Sequence, residues 1–369
     1  MNCLRFVHTA DVHLGRSSQA FGTAAAEHRR RLEQAFERCV TCCRDYEVQL
    51  LIVAGDLFDS PRPPERTAQR VRSLFADLVG QSQVVATVLI PGTHDPIVPG
   101  SIYERWLAEG LPEGMHLLSA EHPTLNIPEL GLALHFATDS SKLQPDPEAS
   151  FNIGLLHGSV QIPGLVDEDE VIITPAQIAG CGMDYLALGH WHSFGDYSQQ
   201  NVVALYPGSP EIVAIDQAEQ GQVLVVDLDD EGGCTWEPVT TGTLQYQQQD
   251  LDLADFADME ELIQAILTLA DGDTILDIRL VGIAPEQMIV DADQILERVE
   301  ERFFRVRLTD ESHADWDETG PEPSSLVAGR FRELMKERFA AAETDEQRRV
   351  VQQARSLGLA LLAGKEVLG

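Results

Sequence analysis

The chain has no uninterrupted apolar run approaching the roughly 18 residues that a membrane-crossing helix needs. It also lacks a leader pattern, since Met1-Asn-Cys-Leu-Arg5 leads straight into an apolar strand pattern. A cytoplasmic protein with no membrane contact is expected. Disulfide spacing is missing too. Cys3, Cys39, Cys42, Cys43, Cys181 and Cys234 form no framework, and a chain of this length can bury enough apolar surface without one. Cys39 and Cys42 make a C-x-x-C, but it falls inside a helical pattern from Glu27 to Tyr46 with no second pair nearby. Buried, reduced thiols are therefore expected rather than a zinc or redox centre.

Basic residues are scarce, and their scarcity is uneven. The net charge is −34, from 26 basic and 60 acidic side chains. Residues 1–110 hold 12 basic and 13 acidic groups; residues 111–278 hold Lys142 alone against 29 acids; residues 279–369 hold 13 against 18. Lys and Arg neutralise nucleic-acid phosphates, and fields of acid repel them. Any nucleic-acid surface is thus expected near Arg29, Arg30, Arg31, Arg62, Arg66, Arg70 and Arg72, with solvated helix faces an equal alternative. The acidic middle reads as a solubility or salt-adaptation feature.

What the chain does have is a series of apolar runs that end on metal-binding residue types. Leu50 to Ala54 stops at Gly55 and delivers Asp56; Leu4 to Ala10 delivers Asp11 and His13. Val84 to Ile90 runs into Gly92-Thr93-His94-Asp95, Phe151 to Leu156 ends on His157, and Tyr185 to Leu188 runs into Gly189-His190-Trp191-His192. Such short runs bounded by turn formers read as buried strands, and open α/β sheets place their chemistry at carboxyl strand ends. A lone Gly-Asp would read as a helix cap, and a lone histidine as a structural residue. Five such ends together point to divalent metal binding. The two-residue spacing of Asp11 and His13, repeated by His190 and His192, is expected to aim both members to one side, because extended residues alternate faces.

The ordered series Asp11-x-His13, Gly55-Asp56, Gly92-Thr93-His94-Asp95, His157 and Gly189-His190-x-His192 resembles the calcineurin-like metallophosphoesterases, over about the first 210 residues. His8-Thr-Ala-Asp-Val-His-Leu-Gly15 and Tyr206-Pro-Gly-Ser-Pro210 look like their DNA-repair exonuclease branch, the SbcD-type nucleases. The resemblance implies an α/β (α+β) fold, a two-sheet sandwich flanked by helices. It also implies two divalent ions, manganese first, with iron, zinc or magnesium as alternatives. Asp56 would bridge them, Asp11, His13 and His192 would hold the first, and His157 and His190 the second. His94 matches the general acid. One position departs from the pattern, for the family has Asn where this chain has Thr93. A hydroxyl is a shorter and poorer ligand than an amide oxygen, so a weaker second site is expected.

In chain order, the first 110 residues alternate strand and helix three times, which implies parallel strands with helices on the faces. Met115–Leu118, Leu132–Phe136, Ile153–Leu156, Val202–Tyr206 and Val223–Leu228 follow as strands of an expected second sheet. Gly242 to Asp258 is a candidate boundary. A helix at Met259–Leu269, a strand at Thr274–Val281, a helix at Asp291–Arg302 and a strand at Phe303–Leu308 then form a βαβ-like unit. That unit looks like the small capping domain of the SbcD-type branch. Arg302, Arg305 and Arg307 are its candidate phosphate contacts, with a solvated strand edge as the competing account. Asp310–Pro323 reads as a linker.

Two apolar stripes close the chain: Leu326, Phe331, Leu334, Met335 and Phe339, then Val350, Val351, Ala354, Leu357 and Leu361. Packing on the chain's own core is the plain account of these helices, and the resemblance implies docking on an SbcC-type coiled-coil ATPase. The expected division is a catalytic domain over 1–240, a capping domain over 259–309 and a helical segment over 324–369. The expected function is hydrolysis of DNA phosphodiesters by a repair nuclease subunit, with DNA and the ATPase as partners and a homodimer left open. The alternatives are a phosphodiesterase for small esters or nucleotides, and a non-catalytic metal-containing subunit of a repair ATPase complex.

Overall fold

The computed structural model describes residues 3–362 except 167, 216, 286, 287, 289, 315–325 and 343. It divides into two compact units, Met1–Tyr246 and Gln247–Gly369. The first opens with β1 (Cys3–Thr9), α1 (Ala25–Asp45), β2 (Leu50–Val53), α2 (Glu65–Gln81), β3 (Ala86–Leu89), α3 (Ile102–Glu109) and β4 (Met115–Leu117). Then come β5 (Thr124–Ile127), β6 (Leu132–Phe136), β7 (Phe151–His157), β8 (Ser159–Val160), β9 (Ile172–Ile173) and α4 (Pro175–Gly180). The unit ends with β10 (Tyr185–Gly189), β11 (Gly195–Asp196), β12 (Val203–Tyr206), β13 (Gln222–Asp229) and β14 (Cys234–Thr240).

Two six-stranded sheets result, ordered β14-β13-β1-β2-β3-β4 and β11-β12-β10-β7-β6-β5. Strands β1 to β4 pair parallel, as do β6, β7, β10 and β12. The mixed α/β sandwich expected from the sequence is present. Its second sheet is composed differently, because β4 and β13 join the first sheet. Strand β4 follows α3 and pairs with β3, while β13 runs antiparallel beside β1 with Phe6 opposite Val226. The reason lies in β13's two apolar faces. Val223 and Val225 enter one core cluster, and Leu224 and Val226 the other, so the strand is stable only in the sheet interior; the more polar, exposed β14 takes the edge.

Alternation along each strand builds the layers. Val7, Leu51, Val53 and Leu89 face Phe36, Phe75 and Trp106 of the helices. Phe6, Leu50, Ile52 and Val88 face Leu134, Ile153, Leu155 and Tyr185 of the second sheet. The outer face of that sheet, with Leu186, Leu188 and Tyr206, is covered around Ile178 of α4. Cys39, Cys42 and Cys43 lie buried as free thiols in the first of these clusters. Burial pushes Cys39 and Cys42 up to about 12, so they stay protonated and unreactive.

The second unit contains β15 (Gln245–Asp252), α5 (Met259–Leu267), β16 (Thr274–Val281), β17 (Ile283–Ala284), α6 (Ala292–Val299), β18 (Arg305–Asp310) and β19 (His313–Ala314). Strands β16 and β18 are parallel with α6 between them, and Leu262, Ile266, Ile278, Leu280 and Ile295 form the core. Residues expected as linker from Asp310 instead continue into β19, paired with β17; 315–323 lie outside the described residues. Arg305 pairs with Glu300 and Arg307 with Asp277. Helices α7 (Leu326–Ala340) and α8 (Asp345–Leu362) follow. Met335 is buried, while Leu326, Leu334, Phe339, Val350 and Leu361 are exposed, so the two stripes are only partly consumed. The side chain of Leu357 lies outside the described residues, as do 324, 325 and 363–369. No helix among the described residues is long and apolar enough to cross a membrane.

Candidate metal centre

The carboxyl ends of parallel strands from both sheets supply the site. Asp11 and His13 follow β1, Asp56 follows β2, Thr93 and His94 follow β3, His157 ends β7, and His190 and His192 follow β10. The backbone reason for the Asp-x-His spacing differs from the expected alternation. Asp11, His13 and Asp56 take φ of 53°, 52° and 50°, and His190 takes 113°. Left-handed backbone at non-glycine residues costs about 1–3 kcal/mol each. Part of that cost is offset where the two strand ends run side by side. Asp11 N donates to Gly55 O at 3.1 Å, His13 N to Asp56 O at 3.0 Å and Leu14 N to Leu57 O at 3.0 Å. Gly92 permits a close approach, since a Cβ there would fall 2.1 Å from Asp56 Oδ1.

Six of the seven candidate residues fall into three overlapping triads whose ligand atoms lie within 4.8 Å of one another. These are Asp11, His13 and His192; His13, Asp56 and His94; and Asp11, Asp56 and His157. His190 is outside them. Its N–H donates to Asp11 Oδ2 at 2.9 Å, its Nε2 lies 2.9 Å from Asp169 Oδ2, and its ring centre is 5.3 Å from that of His157. His94 is about half exposed, with its ring edge-on to His13 at 4.7 Å. Thr93 Oγ1 donates to Asp56 Oδ2 at 3.3 Å.

Proton positions test whether a cation suits this arrangement. Ala54 O, a carbonyl that only accepts, lies 2.8 Å from His157 Nδ1, so Nδ1 carries a proton. In the neutral ring the lone pair is then on Nε2. That atom is buried, has no aligned hydrogen-bond partner, and faces Asp56 Oδ2 at 3.3 Å. A positive charge between them, either a proton on Nε2 or a cation in its place, holds the two atoms together. His13 is braced in a similar way, its Nδ1 meeting Asp59 Oδ1 at 3.1 Å, while its Nε2 lies 3.1 Å from His192 Nε2. The converging imidazoles and carboxylates fit a divalent transition metal.

Electrostatics agree. Burial pushes Asp11 well above the usual carboxylate range; His157 opposes this and Asp56 adds to it. Burial works against charge on His157, yet Asp56, Asp11 and the Ala54 carbonyl outweigh it and push its pKa up to about 9. The resulting imidazolium supplies positive charge beside Asp56 and Asp11. Burial, with His13 and Arg16 nearby, pushes His192 down to about 3 and keeps it neutral.

Sequence reasoning passed over Asp59, Asp95 and Asp169. Asp59, held by Arg16 at 3.1 Å, supports His13. Buried Asp95 accepts from Gly92 N at 2.8 Å, Phe58 N at 3.0 Å and Tyr103 Oη at 2.7 Å, which braces the loop carrying Thr93 and His94. Asp95 stands inside the quoted Gly92-Thr93-His94-Asp95 motif and was findable there, and Asp59 follows Asp56 by three residues. Asp169 lies in an acidic run with no local signal.

A cleft of about 820 Å³ opens beside Thr93 and His157, with Pro96, Ile97, Phe136 and Val171 among its walls. Glu104, Glu121 and Glu170 also line it, and no Lys or Arg does so among the described residues. The arginines expected near nucleic acid are largely engaged within the chain. Arg30 and Arg31 pair with Glu27, Arg70 with Glu37 and Arg72 with Glu109, while Arg62 binds the carbonyls of Pro99 and Gly100.

The family model described as calcineurin-like phosphoesterase matches residues 4–194. The chain is 28% identical over 231 residues to the DNA double-strand break repair protein Mre11 of Methanopyrus kandleri, covering 56% of this chain and 49% of that one. The chain therefore spans about half the length of that relative. It is 24% identical over 374 residues to the Bacillus subtilis metallophosphoesterase YhaO, described as uncharacterized, covering 90% and 87%. A third relative, one of the subunits of the Bacillus subtilis nuclease SbcCD, is 25% identical over 284 residues, covering 64% and 69%.

Proposed function

The chain belongs to the calcineurin-like phosphoesterase family, and from that premise we propose that it is a metal-dependent phosphodiesterase that cleaves DNA as a repair nuclease subunit. In this reading Asp11, His13 and His192 would hold one divalent ion, His157 and His190 would hold a second, and Asp56 would serve both. Bound there, the ions would supply Lewis-acid charge to a phosphodiester and lower the pKa of an attacking water. Manganese is the favoured ion, with iron, zinc and magnesium as alternatives, and Thr93 makes the second site the weaker. We assign to His94 the proton for the leaving oxygen. Its half-exposed ring beside His13 supports that role, as does Asp59 Oδ1 at 3.9 Å from its Nδ1. The observation that carries the reading is the convergence of Asp11, His13, Asp56, His94, His157 and His192 in three overlapping triads whose ligand atoms lie within 4.8 Å of one another.

We assign residues 1–240 to catalysis, 259–309 to a capping domain and 324–369 to a helical segment in a cytoplasmic protein. The exposed Leu326, Leu334 and Phe339 support docking of α7 on an SbcC-type ATPase. A chain ending near residue 320 should lose that binding; retained binding would count against it. A second reading keeps the metal site but takes small phosphodiesters or nucleotides. The cleft favours it, because among the described residues its only ionisable walls besides His157 are glutamates that repel a polyanion.

The deciding experiment is hydrolysis of end-labelled duplex and single-stranded DNA beside a chromogenic phosphodiester, with manganese, using His94→Gln as control. Shortening of DNA by the wild type alone supports the nuclease. Turnover of only the small ester moves the assignment to the second reading. Activity on neither would favour a non-catalytic subunit.

A further inference from the structure

His190 is the candidate ligand that the three tight triads leave out, so its usefulness depends on what fixes its ring. The structure gives that ring a specific partner. His190 Nε2 lies 2.9 Å from Asp169 Oδ2. The same oxygen accepts from Ser159 Oγ, and Ser159 Oγ accepts from Trp191 Nε1 at 2.9 Å. Glu170 N donates to the other carboxylate oxygen at 2.7 Å. The segment carrying Asp169 is itself tied down: Ser159 N donates to Val171 O at 2.9 Å, and β8 pairs with β9. Gly158 lets Val171 come close, since a Cβ at Gly158 would fall 2.6 Å from Val171 Cβ.

We propose that Asp169 is a positioning residue that holds His190 as a ligand of the second metal ion, an inference that rests on the two-metal reading above. A carboxylate accepts the Nε2 proton, which leaves Nδ1 as the lone-pair nitrogen and stops the ring from turning. The negative charge behind the ring also makes Nδ1 a better donor to a cation. Support of this kind matters more here than at the first site. Thr93 contributes a poorer ligand, so the second site leans on His157 and His190, and His157 already has its own brace in the Ala54 carbonyl. The Asp169–Ser159–Trp191 chain locks the brace as the brace locks the ligand. Nothing in the local sequence distinguishes Asp169 from the other acids of its run.

The test is calorimetric titration of the metal-free full chain with Mn²⁺, for wild type, Asp169→Ala and Asp169→Asn, with melting temperatures measured alongside. The expected result is two binding events in the wild type, of which Asp169→Ala weakens only the weaker one, by about 10–100-fold. Asp169→Asn, which keeps an acceptor oxygen, should fall between. The Mn²⁺ concentration for half-maximal hydrolysis of a chromogenic phosphodiester should move by the same factor. Two wild-type affinities in Asp169→Ala would overturn the proposal while leaving the two-metal reading intact. A fall in melting temperature with loss of both events in both variants would make Asp169 a strut of its loop, and would also overturn it. A wild type that binds fewer than two ions would instead overturn the reading on which the proposal stands.

Discussion

Charged side chains crowd both units, but their partners differ. In Gln247–Gly369 arginines meet acids across exposed surface: Arg279 with Asp250 at 2.6 Å, Arg298 with Glu260 at 2.5 Å, and Arg305 with Glu300. At the strand ends of Met1–Tyr246, Asp11 and Asp56 are buried, and the ion-pair partners of Asp56 are the imidazoles of His13 and His157. Exposed pairs contribute little to stability because water screens them and long side chains lose freedom. Buried carboxylates are costly unless a positive charge is supplied. The difference teaches where to look for function: acids matched by permanently charged arginines on the surface serve structure, whereas buried carboxylates matched only by titratable imidazoles are open to a cation.

The sharpest way to break that comparison is Asp56→Ala, which removes one of the two carboxylates that each belong to two triads. Both Mn²⁺ events should disappear from calorimetry and hydrolysis should vanish; a variant that still binds two ions would refute the shared role. Next in size, His94→Gln should lower phosphodiester hydrolysis by roughly a hundred- to ten-thousandfold with Mn²⁺ binding kept. Thr93→Asn sharpens the contrast between the two ions, tightening the weaker event by about tenfold, the lower end of what single ligand-supporting changes achieve. An unaltered second affinity would show that the hydroxyl was never the weak point.

Acid should act on the first unit through a buried group outside the metal centre. His28 stacks on Phe21 and lies between Ser18 Oγ and Ile212 O, each at 2.7 Å; burial pushes its pKa down to about 4. The unfolded chain would bind a proton there from about pH 6.5 downward, and the folded chain only near pH 4. Stability therefore falls as pH drops through that window. Urea unfolding at several pH values should show this slope, and His28→Gln should flatten it. The smallest effect belongs to the matched charges: Arg298→Ala should leave the melting temperature and Mn²⁺ binding essentially unchanged, and a large loss of either would show that the surface pairs do more than the comparison allows.

Much of the site could be read in advance because its residues sit at the ends of short apolar runs. Burial on both faces demands uniformly apolar strands, so the point where such a run stops is visible without coordinates, and Asp11, Asp56, His157 and His190 are marked in this way. Assignment of strands to sheets was less visible. Met115–Leu117 and Gln222–Asp229 look like any other short strand, and only the pairing available beside β3 and β1 decides their place. The terminal stripes left packing and docking both open for a related reason: helical periodicity marks an apolar face but does not say how much of it is covered.

The sequence by itself determined which residue types stand at each strand end and the order in which they come, since both follow from local hydrophobic patterning and turn formers. Only the tertiary structure decided how they converge. The positive φ of Asp11, His13 and Asp56 is unfavourable in an isolated peptide and persists because neighbouring strand ends hydrogen-bond across it, while at His190 the N–H is held by the Asp11 carboxylate. The Asp169 brace joins residues 21 positions apart, and the His13–His192 contact joins residues 179 apart. Contacts over such separations are set by packing of the two sheets, which no local run of residues encodes.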